Sequence, residues 1–285
     1  MRLTLEGLKD KAPWEAAGAA LPKYDIEAMR AHTMNAPSWV HFGAGNIFRG
    51  YIARLVQELL NENLSKSGII VAETYDTDII DKVYTPYDNI ALVVSLSPGG
   101  NTGKTVVASI ARALRTCPGE AGEMAGLIEV FENPSLQIAS FTITEKGYAL
   151  KGMQGEWLPA AKADMEDGPD AATSAMAVAA ALTYRRYRAG GYPLALVSLD
   201  NCSRNGEKLR NAILEIAAAW RERGYVDAGF MEYLGDDERV SFPWSMIDKI
   251  TPRPSGAIAA ELMDLGIAGM APIVTEKNTF IAPFV

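Results

Sequence analysis

The fold of this chain is decided by one stretch, Trp39-Val40-His41-Phe42-Gly43-Ala44-Gly45-Asn46-Ile47-Phe48-Arg49-Gly50. Its first four residues form a short β-type run, and a glycine-rich turn follows directly. From Ile47 to Leu60 the apolar residues recur at helical spacing, and residues 68–72 form a second apolar strand pattern. The sequence therefore predicts strand, glycine turn, helix and strand, which is a βαβ unit.

The rest of the chain continues this alternation of strands and helices. Strand patterns at 136–143 and 194–199 alternate with helical patterns at 120–131, 171–188 and 205–223. Such alternation predicts an α/β fold with a doubly wound, mostly parallel, Rossmann-type sheet. Two β-rich runs, 89–96 and 104–114, flank the glycine-rich turn at 98–103 and predict an inserted antiparallel hairpin.

Three segments are expected from the position of the breaks. Residues 1–37 form an N-terminal arm of short pieces, because Pro13, Pro22 and Pro37 interrupt it. Residues 38–270 form the dinucleotide-binding domain. Apolar residues run to the last position, and we expect 271–285 to start a linker to a further domain outside this chain; a tail docked on the domain is the alternative.

Composition narrows the functional classes. The 285 residues carry 27 Lys and Arg against 35 Asp and Glu, a net charge of −8, which argues against broad nucleic-acid binding. No apolar run approaches the ~18 residues of a membrane span, and the charged N-terminus is unlike a signal peptide. Cys117 and Cys202 are expected to be free thiols of a cytoplasmic protein rather than a disulfide.

The glycine turn has the features of a dinucleotide fingerprint. Gly43 permits the tight turn, and Gly45 lets backbone amides approach a pyrophosphate at the start of the following helix. Asn46 and Arg49 could add phosphate donors. Phe48 stands where the third glycine of the fingerprint is expected, so a plain strand-to-helix turn stays open as the alternative.

An acidic residue at the end of the second strand would bind the adenosine ribose hydroxyls. Glu73 has this position, and Asp76 and Asp78 are close rivals. Because a carboxylate repels a 2′-phosphate, NAD is favoured over NADP. The alternative is that all three are solvated loop carboxylates.

Polar clusters also follow the strand patterns, where doubly wound sheets bind ligands. They are Thr142-Ile143-Thr144-Glu145-Lys146-Gly147-Tyr148, Ser198-Leu199-Asp200-Asn201-Cys202 and the segment 242–252. Together with the glycine turn and the run Asn205-Gly206-Glu207, these motifs resemble the polyol-specific long-chain dehydrogenases. That family includes mannitol and mannitol-1-phosphate dehydrogenases, and its hexuronate branch, which interconverts D-fructuronate and D-mannonate, is the most similar.

The resemblance implies metal-independent hydride transfer between NAD(H) and a sugar acid or polyol. By the family pattern, Glu145 assists proton movement, Asn201 donates to the reacting oxygen, and Asp248 contacts the substrate or its neighbours. Lys249 stands where the family usually has Arg, and Trp244 stands where Asn is common, so the local substrate contacts differ. Lys249 and Arg253 are the candidate residues for binding a substrate carboxylate. The residues expected to bind the cofactor are Gly43, Ala44, Gly45, Asn46, Ile47, Phe48, Arg49, Glu73, Asp76 and Thr144.

One part of the family chemistry is missing from this sequence. The family places proton transfer on a Lys-x4-Asn-x2-His segment in a downstream helical domain, and here the histidines are His32 and His41. We therefore expect this chain to bind NADH without turnover. The alternatives are a mannitol or mannitol-1-phosphate dehydrogenase, or a non-catalytic NAD-binding module. The oligomeric state stays open.

Overall fold

A computed structural model describes residues 1–96, 102–116 and 121–285. The chain forms two compact units. The first consists of Met1–Asn35, Ala44–Ala113 and Lys249–Val285, and the second of Ala36–Gly43 and Leu114–Asp248. The predicted boundaries at 37 and 270 remain predictions.

The α-helices of the described chain are α1 (Ala12–Ala16), α2 (Ile26–Asn35), α3 (Ala53–Asn61), α4 (Ala121–Glu132), α5 (Thr144–Gly147), α6 (Pro159–Asp167), α7 (Ala175–Gly190), α8 (Asn205–Glu222), α9 (Ala228–Gly235) and α10 (Gly256–Asp264). The strands are β1 (Ala19–Ala20), β2 (Trp39–Phe42), β3 (Ile69–Glu73), β4 (Ala91–Leu96), β5 (Thr102–Val107), β6 (Ile110–Arg115), β7 (Ile138–Phe141), β8 (Leu194–Ser198), β9 (Val240–Ser241), β10 (Ile273–Val274) and β11 (Phe280–Ile281). Two π-helical turns, Phe48–Ile52 and Ile80–Tyr84, and the 3-10 turns Thr85–Tyr87 and Pro169–Ala171 complete the set.

The first unit contains the predicted hairpin. Strands β4 and β5 pair antiparallel from Ala91–Val107 to Leu96–Thr102, and β1 joins β5 in parallel. Residues 97–101 of its turn lie outside the described chain. The second predicted run is two strands rather than one, because the chain turns at Ser109, whose hydroxyl donates to Ala53 O at 2.6 Å. Strand β6 then lies beside β3.

The arm and the C-terminal segment both contribute to the core of the first unit. Leu3 and Trp14 are fully buried in it with Leu262 of α10 and Phe284. The backbone of residues 283–285 hydrogen bonds to β4, and Leu92 and Phe284 form an isolated parallel β-bridge. Apolar burial thus explains why the sequence remains hydrophobic to its end.

The second unit is a parallel layer. Its strands run in the order β2-β7-β8-β9, and every pair in this run is parallel. Phe42 of β2 stacks on Phe141 of β7 with ring centroids 4.9 Å apart. Helices α4, α7 and α8 alternate with these strands along the chain, as the predicted Rossmann-type fold requires.

Several elements differ from the sequence patterns. The helix predicted from Ile47 begins with a π-helical turn before α3, and helices α6, α9 and α10 lie in stretches expected to be irregular or left without a pattern. The strand expected at 271–275 is short β10, paired antiparallel with β11. Cys117 lies outside the described residues, and no described helix is long and apolar enough to cross a bilayer.

Candidate cofactor and substrate site

Gly43 directly follows β2 and has a backbone conformation that only glycine adopts without strain. Its φ is +109°, and a Cβ there would lie 2.3 Å from the carbonyl oxygen of Thr142. His41 of β2 also contacts the β7 segment, because its ring nitrogens lie 2.7 Å from Ser140 Oγ and 2.8 Å from Thr142 Oγ1. Gly43 therefore brings β2 and the end of β7 together.

The first helical amides are the part of the turn that fits a pyrophosphate. Asn46 and Ile47 start a helical segment that continues through α3 to Asn61. Within the described chain, the N–H groups of Gly45, Asn46 and Ile47 have no hydrogen-bond acceptor. A Cβ on Gly45 would meet no atom within 4 Å, so the backbone there faces open space. Unpaired amides at a helix start are the expected anion-binding geometry.

Glu73 fixes the turn from the end of β3. Its Oε2 accepts the Ala44 N–H at 2.7 Å, and its Oε1 accepts the N–H groups of Tyr75 at 2.8 Å and Asp76 at 3.1 Å. The side chain is buried, at 6% exposure. The Tyr84 hydroxyl donates to Ala44 O on the other side of the turn at 2.8 Å. Both oxygens of the predicted ribose-binding carboxylate thus already accept backbone hydrogen bonds.

Asp76 and Asp78 are also engaged. Asp76 is buried, and its Oδ2 accepts the Thr275 hydroxyl at 2.5 Å. Asp78 pairs with Lys82 at 2.8 Å, and this hydrogen bond lowers the pKa of the Asp78 carboxyl. The three acids therefore order the chain after β3, and their contact with a ribose stays a prediction.

Asn46 and Arg49 turn toward the C-terminal segment of the same unit. Asn46 Nδ2 donates to Phe280 O at 3.3 Å, and Arg49 Nη1 donates to Ala282 O at 2.6 Å. Arg49 Nη2 also donates to Asn46 Oδ1 at 2.8 Å. The Arg49 guanidinium is fully buried, which lowers its pKa. Phe48, at the third glycine position, is a fully buried core residue.

In the second unit, Asp200 organises the chain after β7 and β8. Its Oδ2 accepts the Ile143 N–H at 2.9 Å and the Tyr148 hydroxyl at 2.6 Å, and its Oδ1 accepts the Thr144 N–H at 3.0 Å. Thr144 has a φ of +64°, a strained value for a β-branched residue. Burial and the Asp200 charge raise the pKa of Tyr148, so this hydroxyl stays a donor.

Glu145 and Asn201 have very different surroundings. The exposed Glu145 carboxylate is hydrogen bonded to the Lys208 ammonium of α8. Asn201 is exposed, and its amide makes no hydrogen bond to any residue that the structure describes. Asn205, the first residue of α8, is by contrast buried and bonded to Ser198, Asp200 and Ser245. Asn201 is therefore the available amide at this strand end.

The remaining predicted residues are exposed. Asp248 has no partner among the described residues. The Lys249 ammonium lies 5.6 Å from the Tyr51 ring centroid, and the Arg253 guanidinium lies 4.5 Å from that of Phe280. The described chain shows no group of three His, Cys, Asp or Glu side chains that could bind a metal ion.

Sequence reasoning missed the partners of these residues. Thr275 and Lys208 carry no motif, and Asp200 stands in a strand-end motif without an assigned role, yet each contacts a predicted site residue. No local signal marks Thr275, because it begins the polar run Thr275-Glu276-Lys277-Asn278-Thr279.

Comparison with known families agrees with this geometry. The mannitol dehydrogenase Rossmann domain matches residues 37–281. The chain belongs to this family. The match confirms the resemblance inferred from the motifs and, with the parallel strands of the second unit, the predicted Rossmann-type fold.

The relatives and the solved structure cover 90–100% of this chain. D-mannonate oxidoreductase of Thermotoga maritima is 47% identical over 285 residues, 100% of this chain and 52% of the relative. Mannitol 2-dehydrogenase of Cereibacter sphaeroides is 32% identical over 90% of this chain and 50% of its own length. The ternary complex of Pseudomonas fluorescens mannitol 2-dehydrogenase with NAD and D-mannitol is 26% identical, with a TM-score of 0.77 over 100% of this chain and 53% of that one. The chain thus spans about half the length of these relatives.

Proposed function

We propose that this chain is the NAD(H)-binding part of a dehydrogenase that interconverts a sugar acid or polyol and its ketone, with D-mannonate and D-fructuronate favoured. The observation that carries the proposal is the set of unpaired amides at Gly45, Asn46 and Ile47 beside open space. The 47% identity to a D-mannonate oxidoreductase supports the substrate class.

The residues have separate roles in this proposal. The three amides bind the pyrophosphate, while Glu73 holds Ala44 so that the turn keeps its shape before the cofactor arrives. The bound nicotinamide supplies or accepts the hydride. Asn201 donates a hydrogen bond to the reacting oxygen, where negative charge develops during ketone reduction.

Glu145 and the exposed cations act on the substrate side. Glu145 moves protons between solvent and the site, and its carboxylate is held in place by the ion pair with Lys208. Asp248 accepts from substrate hydroxyls, and the exposed cations of Lys249 and Arg253 attract the anionic substrate as it approaches. Thr144 supplies a backbone contact to the cofactor from the strained turn after β7.

Proton donation to the alkoxide has no candidate histidine in this chain. His41 is fully buried, which lowers its pKa to about 3, and it bonds to Ser140 and Thr142. His32 lies on α2 of the first unit. We infer that the 285-residue chain alone binds NADH and does not turn over, which is also the expectation for a non-catalytic NAD-binding module.

Calorimetry with NADH tests the cofactor site. Gly45→Val adds a branched side chain whose Cβ meets no protein atom within 4 Å, and we expect at least tenfold weaker NADH binding, about 1.4 kcal/mol. Gly235→Val is the matched control, because Gly235 also has no atom within 4 Å of an added Cβ. Equal NADH affinity in both variants would contradict the proposed site.

A substrate screen tests the reaction. NADH absorbance is followed with D-mannonate, D-altronate, D-mannitol and mannitol 1-phosphate, for this chain and for a protein that also carries a downstream helical domain. Turnover with D-mannonate only in the longer protein supports the proposal. Turnover by the 285-residue chain would overturn the inference that it lacks a proton donor.

A further inference from the structure

A pocket of about 500 Å³ lies in the second unit, beside the start of α8 and the chain that follows β9. It is lined by Gly206, Glu207, Arg210, Asp237, Ser241 and residues 242–244. Gly206 allows this arrangement, because a Cβ there would lie 2.6 Å from Phe242 O and 2.8 Å from the Trp244 ring. The volume is in the usual range for a small-molecule site.

Arg210 is the unusual residue of this pocket. Its Nε is buried and has no hydrogen-bond partner, and no carboxylate in the described chain lies within ion-pair distance of its guanidinium. A buried N–H group without an acceptor, such as the Arg210 Nε–H, is costly because it loses water and gains no partner. A bound anion would remove that cost, and a planar carboxylate matches the fork of the guanidinium.

The other walls suit a hydroxylated ligand. Glu207 pairs with Arg204 at 2.6 Å, so its charge is already balanced, and the Asp237 carboxylate and the Ser241 hydroxyl can accept from ligand hydroxyls. The Trp244 ring is 62% exposed, and the Arg204 guanidinium lies 5.9 Å from its centroid. An exposed indole held from behind offers a flat face to the C–H side of a sugar chain.

We propose that this pocket binds a sugar acid, with the carboxylate on Arg210 and the carbon chain against Trp244. The inference rests on the proposed function and specifies its substrate class, because a neutral polyol cannot satisfy the guanidinium in the same way. Arg210 and Trp244 are then residues that select acids over polyols.

D-mannonate and D-mannitol are a matched pair of probes, since they differ only at the first carbon. Their affinities for the 285-residue chain are measured by calorimetry at low ionic strength, for the unmodified chain and for Arg210→Met, Trp244→Leu and Arg221→Met. Arg221 is an exposed arginine near the end of the same helix and serves as the control. We expect D-mannonate to bind at least tenfold more tightly than D-mannitol, and Arg210→Met to abolish the difference.

Trp244→Leu tests the pocket even if Arg210→Met fails to fold, because the mostly exposed indole contributes little to the core. We expect it to weaken D-mannonate binding threefold or more. Equal binding of the two probes, or unchanged D-mannonate binding in both pocket variants, overturns the inference. NADH titrations of the same samples separate the two proposals. NADH binding without D-mannonate binding refutes the pocket alone, and D-mannonate binding without NADH binding refutes the cofactor site alone.

Discussion

Replacing Asp200 by Asn tests whether this carboxylate holds the strained turn after β7. Asp200 accepts three hydrogen bonds, from the amides of Ile143 and Thr144 and from the Tyr148 hydroxyl, at 2.6–3.0 Å. An Asn side chain has one acceptor oxygen, and its NH2 group would face a donor. Hydrogen bonds to a charged group contribute about 1.5–3 kcal/mol each, but Asp200 is partly exposed. We therefore expect a loss of about 2 kcal/mol.

The measurement is urea unfolding at pH 7, with Asp167→Asn as the control because Asp167 is exposed and has no ion pair in the described chain. A double-mutant cycle with Tyr148→Phe isolates the hydroxyl contact, and we expect a coupling of about 1 kcal/mol. Amide exchange at Ile143 and Thr144 should accelerate in Asp200→Asn, since the turn loses its acceptor. A loss of unfolding free energy below about 0.5 kcal/mol, similar to that of Asp167→Asn, would refute the role assigned to Asp200. Unchanged amide exchange at Ile143 and Thr144 would refute it as well.

Two further predictions concern buried basic groups. Arg186 is fully buried and donates to five carbonyl groups, so Arg186→Met should cost about 3–5 kcal/mol in urea unfolding, while exposed Arg188→Met should cost under about 0.5 kcal/mol; similar values for the two would be inconsistent with this reasoning. Burial lowers the pKa of His41 to about 3, so the unfolded chain binds a proton at His41 more readily than the folded chain does. The contribution of His41 to stability is therefore complete above about pH 6.5 and is lost as the pH falls toward 3. Between pH 7.5 and pH 5 the unfolding free energy should fall about 2 kcal/mol further than in His41→Gln, and parallel pH profiles would show that His41 is not the group responsible.

The parts of the fold that follow from local patterns were predictable. Strand β2, the glycine turn and the following helix depend on residues close in sequence, whose apolar spacing and φ preferences set the conformation. The hairpin β4–β5 is predictable for the same reason, since its strands flank a glycine-rich turn. Helix α10 gave no comparable signal, because it is short and its burial depends on the distant residues Leu3 and Phe284.

The partners of polar motif residues could not be predicted. Arg49 is followed by 232 residues before Ala282, its carbonyl acceptor, and no local pattern connects the two. Glu73 and Ala44 are likewise joined only by the folded βαβ unit. A motif states which residue types stand at a site, and the fold decides whether each side chain faces a ligand or supports the backbone.

Hydrogen-bond accounting separates these two kinds of residue. Glu73, Asp76 and Asp200 have acceptor oxygens already bonded to protein donors, so a ligand would have to share or displace those bonds. The amide of Asn201 and the guanidinium of Arg210 have no such bonds in the described chain, and desolvating them without a partner is unfavourable. A bound molecule therefore gains most free energy at the second group of residues. Substitutions in the first group should accordingly change stability before affinity, and those in the second group affinity before stability.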